Sequence, residues 1–191
     1  MLDAAVEVFS RSGFHPASMD EIADVAGVSK PMIYAYLGSK DDLFGLCIHR
    51  EAQYLVERIT AAVPDGPAPD ERLYRGLLAF FEFVAEHRDG WIVLYRQARV
   101  QGGAFAAQTT VVRERIVGVV AGLLAGTADE AARARATPTA HALVGAAEAL
   151  SDWGVEHPEQ TPQELARRLM DFAWTGLGGL VRGERWTGPS S

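Results

Sequence analysis

The stretch Ser18 to Lys40, SMDEIADVAGVSKPMIYAYLGSK, constrains the fold more than any other part of the chain, because its caps and turns leave room for little except two short helices and a tight turn. Ser18 and Glu21 form a capping box. The hydroxyl can accept from the backbone N–H three residues on while the carboxylate reaches back. Ile22, Ala23 and Ala26 give the helix that begins there one small apolar face, and Gly27 ends it. Ser29 caps a second helix, with Pro31 in its first turn, where a missing N–H does little harm. Ile33 and Leu37, four apart, form its inward stripe. Two helices of about two turns joined by a glycine-containing turn make a helix-turn-helix, whose second helix enters the DNA major groove. By helical geometry Lys30, Pro31, Met32, Ala35 and Tyr36 ride on or near the groove-facing side. Lysine donates to guanine acceptors, and Met32, Ala35 and the Pro31 ring suit a thymine methyl.

Charge works against a broad electrostatic grip on DNA. The 191-residue chain has a formal net charge of −7. Residues 1–50 hold four basic side chains (Arg11, Lys30, Lys40, Arg50) against seven acidic ones, a net of −3. Affinity must then rest on a few placed groups, helix N-termini and two copies per complex. Met1 leads straight into a helical pattern without a charged-then-apolar leader. A basic arm ahead of it would be the natural source of further phosphate contacts. Cys47 is the only cysteine, so no intrachain disulfide can form, and a cytoplasmic address is the default. Apolar runs such as 116–126 fall short of the roughly 18 residues that span a membrane, so no membrane partner is expected.

The rest of the chain reads as all-α. Leu2, Ala5, Val6 and Phe9 recur at helical spacing up to Ser12, and Gly13 stops that helix. Ser39 caps a long helix running to about Val63, where a proline cluster breaks the chain. Further helices are expected over 70–87, 91–101, 104–125 (mostly apolar and so a buried centre), 138–157 and 162–181, with Thr161 capping the last and Pro162 at its first position. Residues 128–137 read as an exposed helix or loop, and the tail from Trp186 as frayed. The domain boundary is placed inside the long helix near Leu46. Residues 1–46 then form a three-helix DNA-binding domain, and 47–191 a helical bundle for effector binding and dimerisation.

Leu2-Asp-Ala-Ala, Phe9, Gly13-Phe14, Ser18-Met-Asp-Glu-Ile-Ala, Ala26-Gly-Val-Ser-Lys30, Ile33-Tyr34 and Ser39-Lys40 through Leu43-Phe44 together resemble the tetracycline-repressor (TetR) family closely. The match covers about a quarter of the chain at motif level. The resemblance implies a dimeric repressor of a palindromic operator on double-stranded DNA, released by a small-molecule effector that swings the helix shared by both domains. It implies that Ser18, Ser29, Tyr34, Tyr36 and Lys40 hold phosphates while Lys30 to Met32 and Ala35 face bases. Homodimerisation through the last two helices is the family's mode. Ala142, Gly145, Ala146, Ala149, Gly176 and Gly178-Gly179 permit close approach there, with Leu143, Leu150, Leu169, Leu177 and Leu180 as fillers. Two positions depart from the pattern: Leu37 stands where an aromatic is usual, and Gly38 where proline is commoner.

Each residue also has a plainer reading. Ser18, Ser29 and Ser39 are first of all caps, Tyr34 could pack half-buried on the first helix, and Lys40 could be solvated. Beyond residue 69, Phe80, Phe81, Trp91, Tyr95, Phe105, Trp153 and Phe172 are candidate effector-cavity walls that ordinary core packing would equally explain. Arg99, His141 and Glu148 are polar groups within apolar helices that would orient a ligand if they converged. A helical enzyme using His141, Glu148 and Asp152 is the alternative from another class. No His-Glu-x-x-His, nucleophile turn or phosphate loop supports it, so neither a metal nor a cofactor is expected. A helix-turn-helix without any ligand is the third reading.

Overall fold

The computed structural model describes the backbone over residues 1–126 and 129–181 and side chains over 1–126 and 129–174. Among these the elements are α1 (Leu2–Ser12), α2 (Met19–Ala26), α3 (Lys30–Leu37), α4 (Lys40–Ala62), α5 (Pro69–Glu86), α6 (Arg88–Trp91), a π-helical stretch (Ile92–Gln97), α7 (Ala98–Gln101), α8 (Gly103–Ala125), α9 (Glu130–Glu156) and α10 (Pro162–Val181). No strand occurs among the described residues. No helix there is long and apolar enough to cross a membrane.

The chain divides into two compact units. The first comprises Met1–Arg58 and Phe83–Arg115. Its core is aromatic: Phe44 meets Phe9 edge-on at 4.9 Å and Phe14 at 4.9 Å between ring centroids. Phe105 from α8 closes the cluster against Phe44 at 4.9 Å and Phe14 at 5.7 Å. Phe9, Phe14 and Phe44 are buried, each worth about 1.5–3 kcal/mol, and the half-buried Phe105 packs on them, so this cluster holds α1, α4 and the start of α8 together. Ile22 of α2 and Ile33 of α3 are fully buried, which fixes the two short helices on the same unit. The π-helical turns between α6 and α7 have no signature in the hydrophobic spacing, and the sequence reading treats this region as one short regular element.

The second unit comprises Ile59–Glu82 with the described residues from Ile116 onward. Val117 and Ala121 of α8 pack on Ala140 and Val144 of α9, flanked by Ile116, Val120, Leu124 and Ala136. Helix α9 begins eight residues earlier than the sequence reading places it. Asp129 accepts from the N–H groups of Ala131 and Ala132, alanines fill the first turns, and Pro138 sits inside the helix. A strong cap and high helix propensity thus outweigh one missing donor. The expectation of a buried central helix over 104–125 is corrected as well. Only Val117, Ala121 and Leu123 of α8 are buried, and Val111 is largely exposed. Its apolar residues encircle the helix without forming a stripe, so burying one side leaves others open. At the start of α10, Thr161 and Glu164 form a reciprocal box, with Thr161 N donating to Glu164 Oε2 at 2.8 Å and Glu164 N to Thr161 Oγ1 at 3.2 Å. Gly176, Leu177, Gly178, Gly179, Leu180 and the tail from Trp186 have no described side chains.

Candidate nucleic-acid interface

Capping positions the reading head. Glu21 N donates to Ser18 Oγ at 3.1 Å, the first half of the expected box. The second half is replaced: the Glu21 carboxylate instead accepts from Arg11 Nη2 at 2.7 Å, tying α2 to α1. Ser29 occupies the N-cap of α3, but its hydroxyl makes no capping bond. Gly38 ends α3 at φ 74°, a conformation that favours glycine, and a Cβ there would lie 2.7 Å from Asp42 Oδ2. That oxygen is committed to Ser39, accepting from its N–H at 2.9 Å and its hydroxyl at 2.7 Å, while Asp42 N returns a bond to Ser39 Oγ at 3.2 Å. This box, led by the Ser39 hydroxyl, holds the Asp42 carboxyl below its ordinary range.

Helix α3 buries one residue, Ile33, against the head, and Leu37 is half-buried. Lys30, Pro31, Met32, Tyr34, Ala35 and Tyr36 are exposed, with Tyr36 at 74%. Tyr34 is thus an open ring rather than one folded onto the first helix. The helix touches the protein through a narrow stripe and turns the remainder outward, as a groove-entering helix must.

All four basic side chains of residues 1–50 find partners within the first unit. Arg11 meets Glu21; Arg50 meets Asp3 at 2.7 Å and Glu51 at 2.7 Å. Lys30 Nζ lies 2.9 Å from Asp20 Oδ2, and this hydrogen bond raises the lysine's pKa. Lys40 donates to the carbonyls of His15 at 3.0 Å and Ala17 at 3.1 Å, 4.7 Å over the Phe14 ring. Lys40 is therefore not simply solvated: two of its three ammonium protons go to backbone carbonyls. It fastens the start of α4 to the loop between α1 and α2, a role that spacing could not reveal because its partners are backbone carbonyls.

The effector candidates fall on different units. Trp91, Tyr95, Arg99 and Phe105 belong to the first. Trp91 and Tyr95 stack at 4.6 Å, Arg99 sits 5.0 Å over Tyr95, and Phe105 is in the aromatic core. Phe80, Phe81, His141, Glu148, Trp153 and Phe172 belong to the second. Phe80 and Phe81 are buried and 5.3 Å apart, whereas Trp153 is exposed and Phe172 is 76% exposed. His141 and Glu148 are half-buried on α9. No group of His, Cys, Asp and Glu able to hold a metal ion occurs among the described residues.

Residues 1–47 match the model described as bacterial regulatory proteins, tetR family, and residues 69–176 match the tetracyclin repressor-like C-terminal domain. The transcriptional activator FasR of Mycolicibacterium smegmatis is 32% identical over 179 residues, 93% of this chain and 81% of that protein. The fatty acid metabolism regulator protein of Bacillus subtilis is 27% identical over 99 residues, 52% of this chain and 51% of that one. The crystal structure of a TetR-like transcriptional regulator from Rhodococcus sp. RHA1 superposes with a TM-score of 0.81 at 45% identity, covering 93% of each chain.

Proposed function

Because the chain belongs to the TetR family of transcriptional regulators, we propose that it works as a dimeric, effector-responsive repressor whose helix α3 reads a palindromic operator. The chain is a regulator and not an enzyme. The observation that carries the operator reading is the one-sided packing of α3, which buries Ile33 and presents Lys30, Pro31, Met32, Ala35 and Tyr36 outward. Phosphate contacts fall to the hydroxyls of Ser18, Ser29, Tyr34 and Tyr36, to the Lys40 ammonium, which keeps one proton beyond its two carbonyl bonds, and to backbone N–H groups at helix starts. Residues 1–46 are the reading domain in this account and 47–191 the effector and dimerisation domain, acting in the bacterial cytoplasm.

Dimerisation is assigned to α9 and α10, where Ala142, Ala149, Trp153, Phe172 and Trp174 are exposed in the single chain. The effector is a small molecule held by the region after α4. The name of the Bacillus relative directs the first search to fatty acyl compounds. The Mycolicibacterium relative, a transcriptional activator, favours a second reading, in which operator binding activates.

Selection of bound sequences from random DNA tests the proposal. An inverted repeat with half-site centres about one helical turn, roughly 34 Å, or a multiple of it apart is the expected product. Enrichment of no sequence, or of a single unrepeated site, would count against it.

A further inference from the structure

We propose that Asp20 and Lys30 act as one unit that reads a single G·C base pair in each half-site, with Asp20 as the specificity-determining acceptor. The inference rests on the reading of α3 as the groove-entering helix.

Lys30 is the first residue of α3, so its charge sits at the positive end of that helix, where a cation is unfavourable. Asp20 lies in the first turn of α2, where an anion is favoured. The ion pair joins these two helix starts at 2.9 Å, with side chains 47% and 66% exposed. Exposed pairs of this kind stabilise a fold very little, and both side chains are open to solvent on the reading head, where a docking duplex can reach them.

An ammonium group carries three protons, and Asp20 takes one. The other carboxylate oxygen of Asp20 accepts nothing else among the described residues. The pair therefore presents donors and an acceptor side by side. A G·C pair offers the matching edge: adjacent O6 and N7 acceptors on guanine, then the N4 amino donor of cytosine. An A·T pair fits worse, because its N6 donor is flanked by N7 and thymine O4, and O4 would face the carboxylate. Against a phosphate the pair is poor, since the carboxylate opposes the attraction the lysine supplies. Asp20 thus suppresses sequence-blind binding and rewards one base pair, which suits a head with a net charge of −3 over residues 1–50.

The experiment is selection from random DNA with the full chain and with Asp20→Ala, Asp20→Asn and Lys30→Ala. The wild type should prefer G·C by about tenfold or more at one position of each half-site. Asp20→Ala and Lys30→Ala should flatten that same position to under about threefold while the other positions persist, which also reports an intact fold. Asp20→Asn should shift it toward A·T, the pair an amide reads best. Retention of G·C in both Asp20 variants, or an affinity change equal across all sequences, would overturn the inference and leave the operator reading standing. Failure of the wild type to select any motif would instead remove the operator reading, and the inference with it.

Discussion

Gly90 faces the Glu51 carboxylate so closely that residue 90 has no room for a side chain. A Cβ there would overlap the carboxylate, lying 2.8 Å from Glu51 Cδ. Glu51 is 2% exposed on α4, its Oε1 accepts from Arg50 Nε at 2.9 Å and Nη2 at 2.7 Å, and His87 Nδ1 stands 4.0 Å from Oε2. Gly90 is helical, so alanine alone would favour the helix by about 1 kcal/mol. We expect the opposite sign: the added methyl forces the buried, Arg50-paired Glu51 carboxylate to shift, and Gly90→Ala lowers stability by about 1–3 kcal/mol in urea unfolding. Glu51→Ala should relieve the clash, giving a coupling above about 1 kcal/mol in the double-mutant cycle. Additive single effects would contradict this contact.

Tyr36 and Lys40 separate binding from folding. Tyr36→Ala is expected to leave stability within about 0.5 kcal/mol, because the ring is open to solvent, and to weaken operator binding in mobility-shift titrations. Lys40→Ala removes both bonds to the His15 and Ala17 carbonyls and should cost about 1–2 kcal/mol of stability. A Lys40→Ala protein as stable as wild type would show that the clamp contributes nothing.

Cys47 reports opening of the first unit. Burial pushes its thiol pKa up to about 12, and it is the chain's sole cysteine. At pH 8 the native protein should resist a thiol-specific disulfide reagent and react fully once denaturant is added. Rapid labelling without denaturant would contradict its placement.

Acid should weaken the two caps in a defined direction. Asp42 is held low first by the Ser39 hydroxyl and Glu164 first by the Thr161 N–H. A carboxyl depressed by folding contributes stability that is present above its unfolded value, 3.8 for Asp42 and 4.5 for Glu164, and is lost as pH falls through the folded one. Ser39→Ala should therefore lower the melting temperature at pH 7, with the difference from wild type narrowing by pH 3. An equal difference at both values would rule out this linkage.

Local patterns carried the head because they act over three or four residues. Ser18 and Glu21, the Gly27 turn, Pro31 and the Ile33–Leu37 stripe each express short-range chemistry, and the helices follow them closely. Ser39 as the cap of the long helix is of the same kind, and the structure adds Asp42 as its reciprocal partner. What the sequence hid is long-range: Lys40 on backbone carbonyls 23 and 25 residues away, Arg11 drawing Glu21 out of its box, Glu51 against Gly90, and Phe105 in the core beside Phe44. Periodicity marks which face is apolar but not which neighbour it meets. The aromatic candidates beyond residue 69 fall in both units, Trp91, Tyr95 and Phe105 in the first and Phe80, Phe81, Trp153 and Phe172 in the second.

The central claim is that α3 reads the operator through its outward face. Its most direct test is a fluorescence-anisotropy titration of the selected duplex with wild type and with Met32→Glu and Ala35→Glu, both at exposed positions of α3. The account predicts unchanged melting temperatures and, in each variant, loss of the preference for the selected duplex over a scrambled one, because a carboxylate would replace apolar contact in the groove. Retention of the wild-type preference by both folded variants would contradict it.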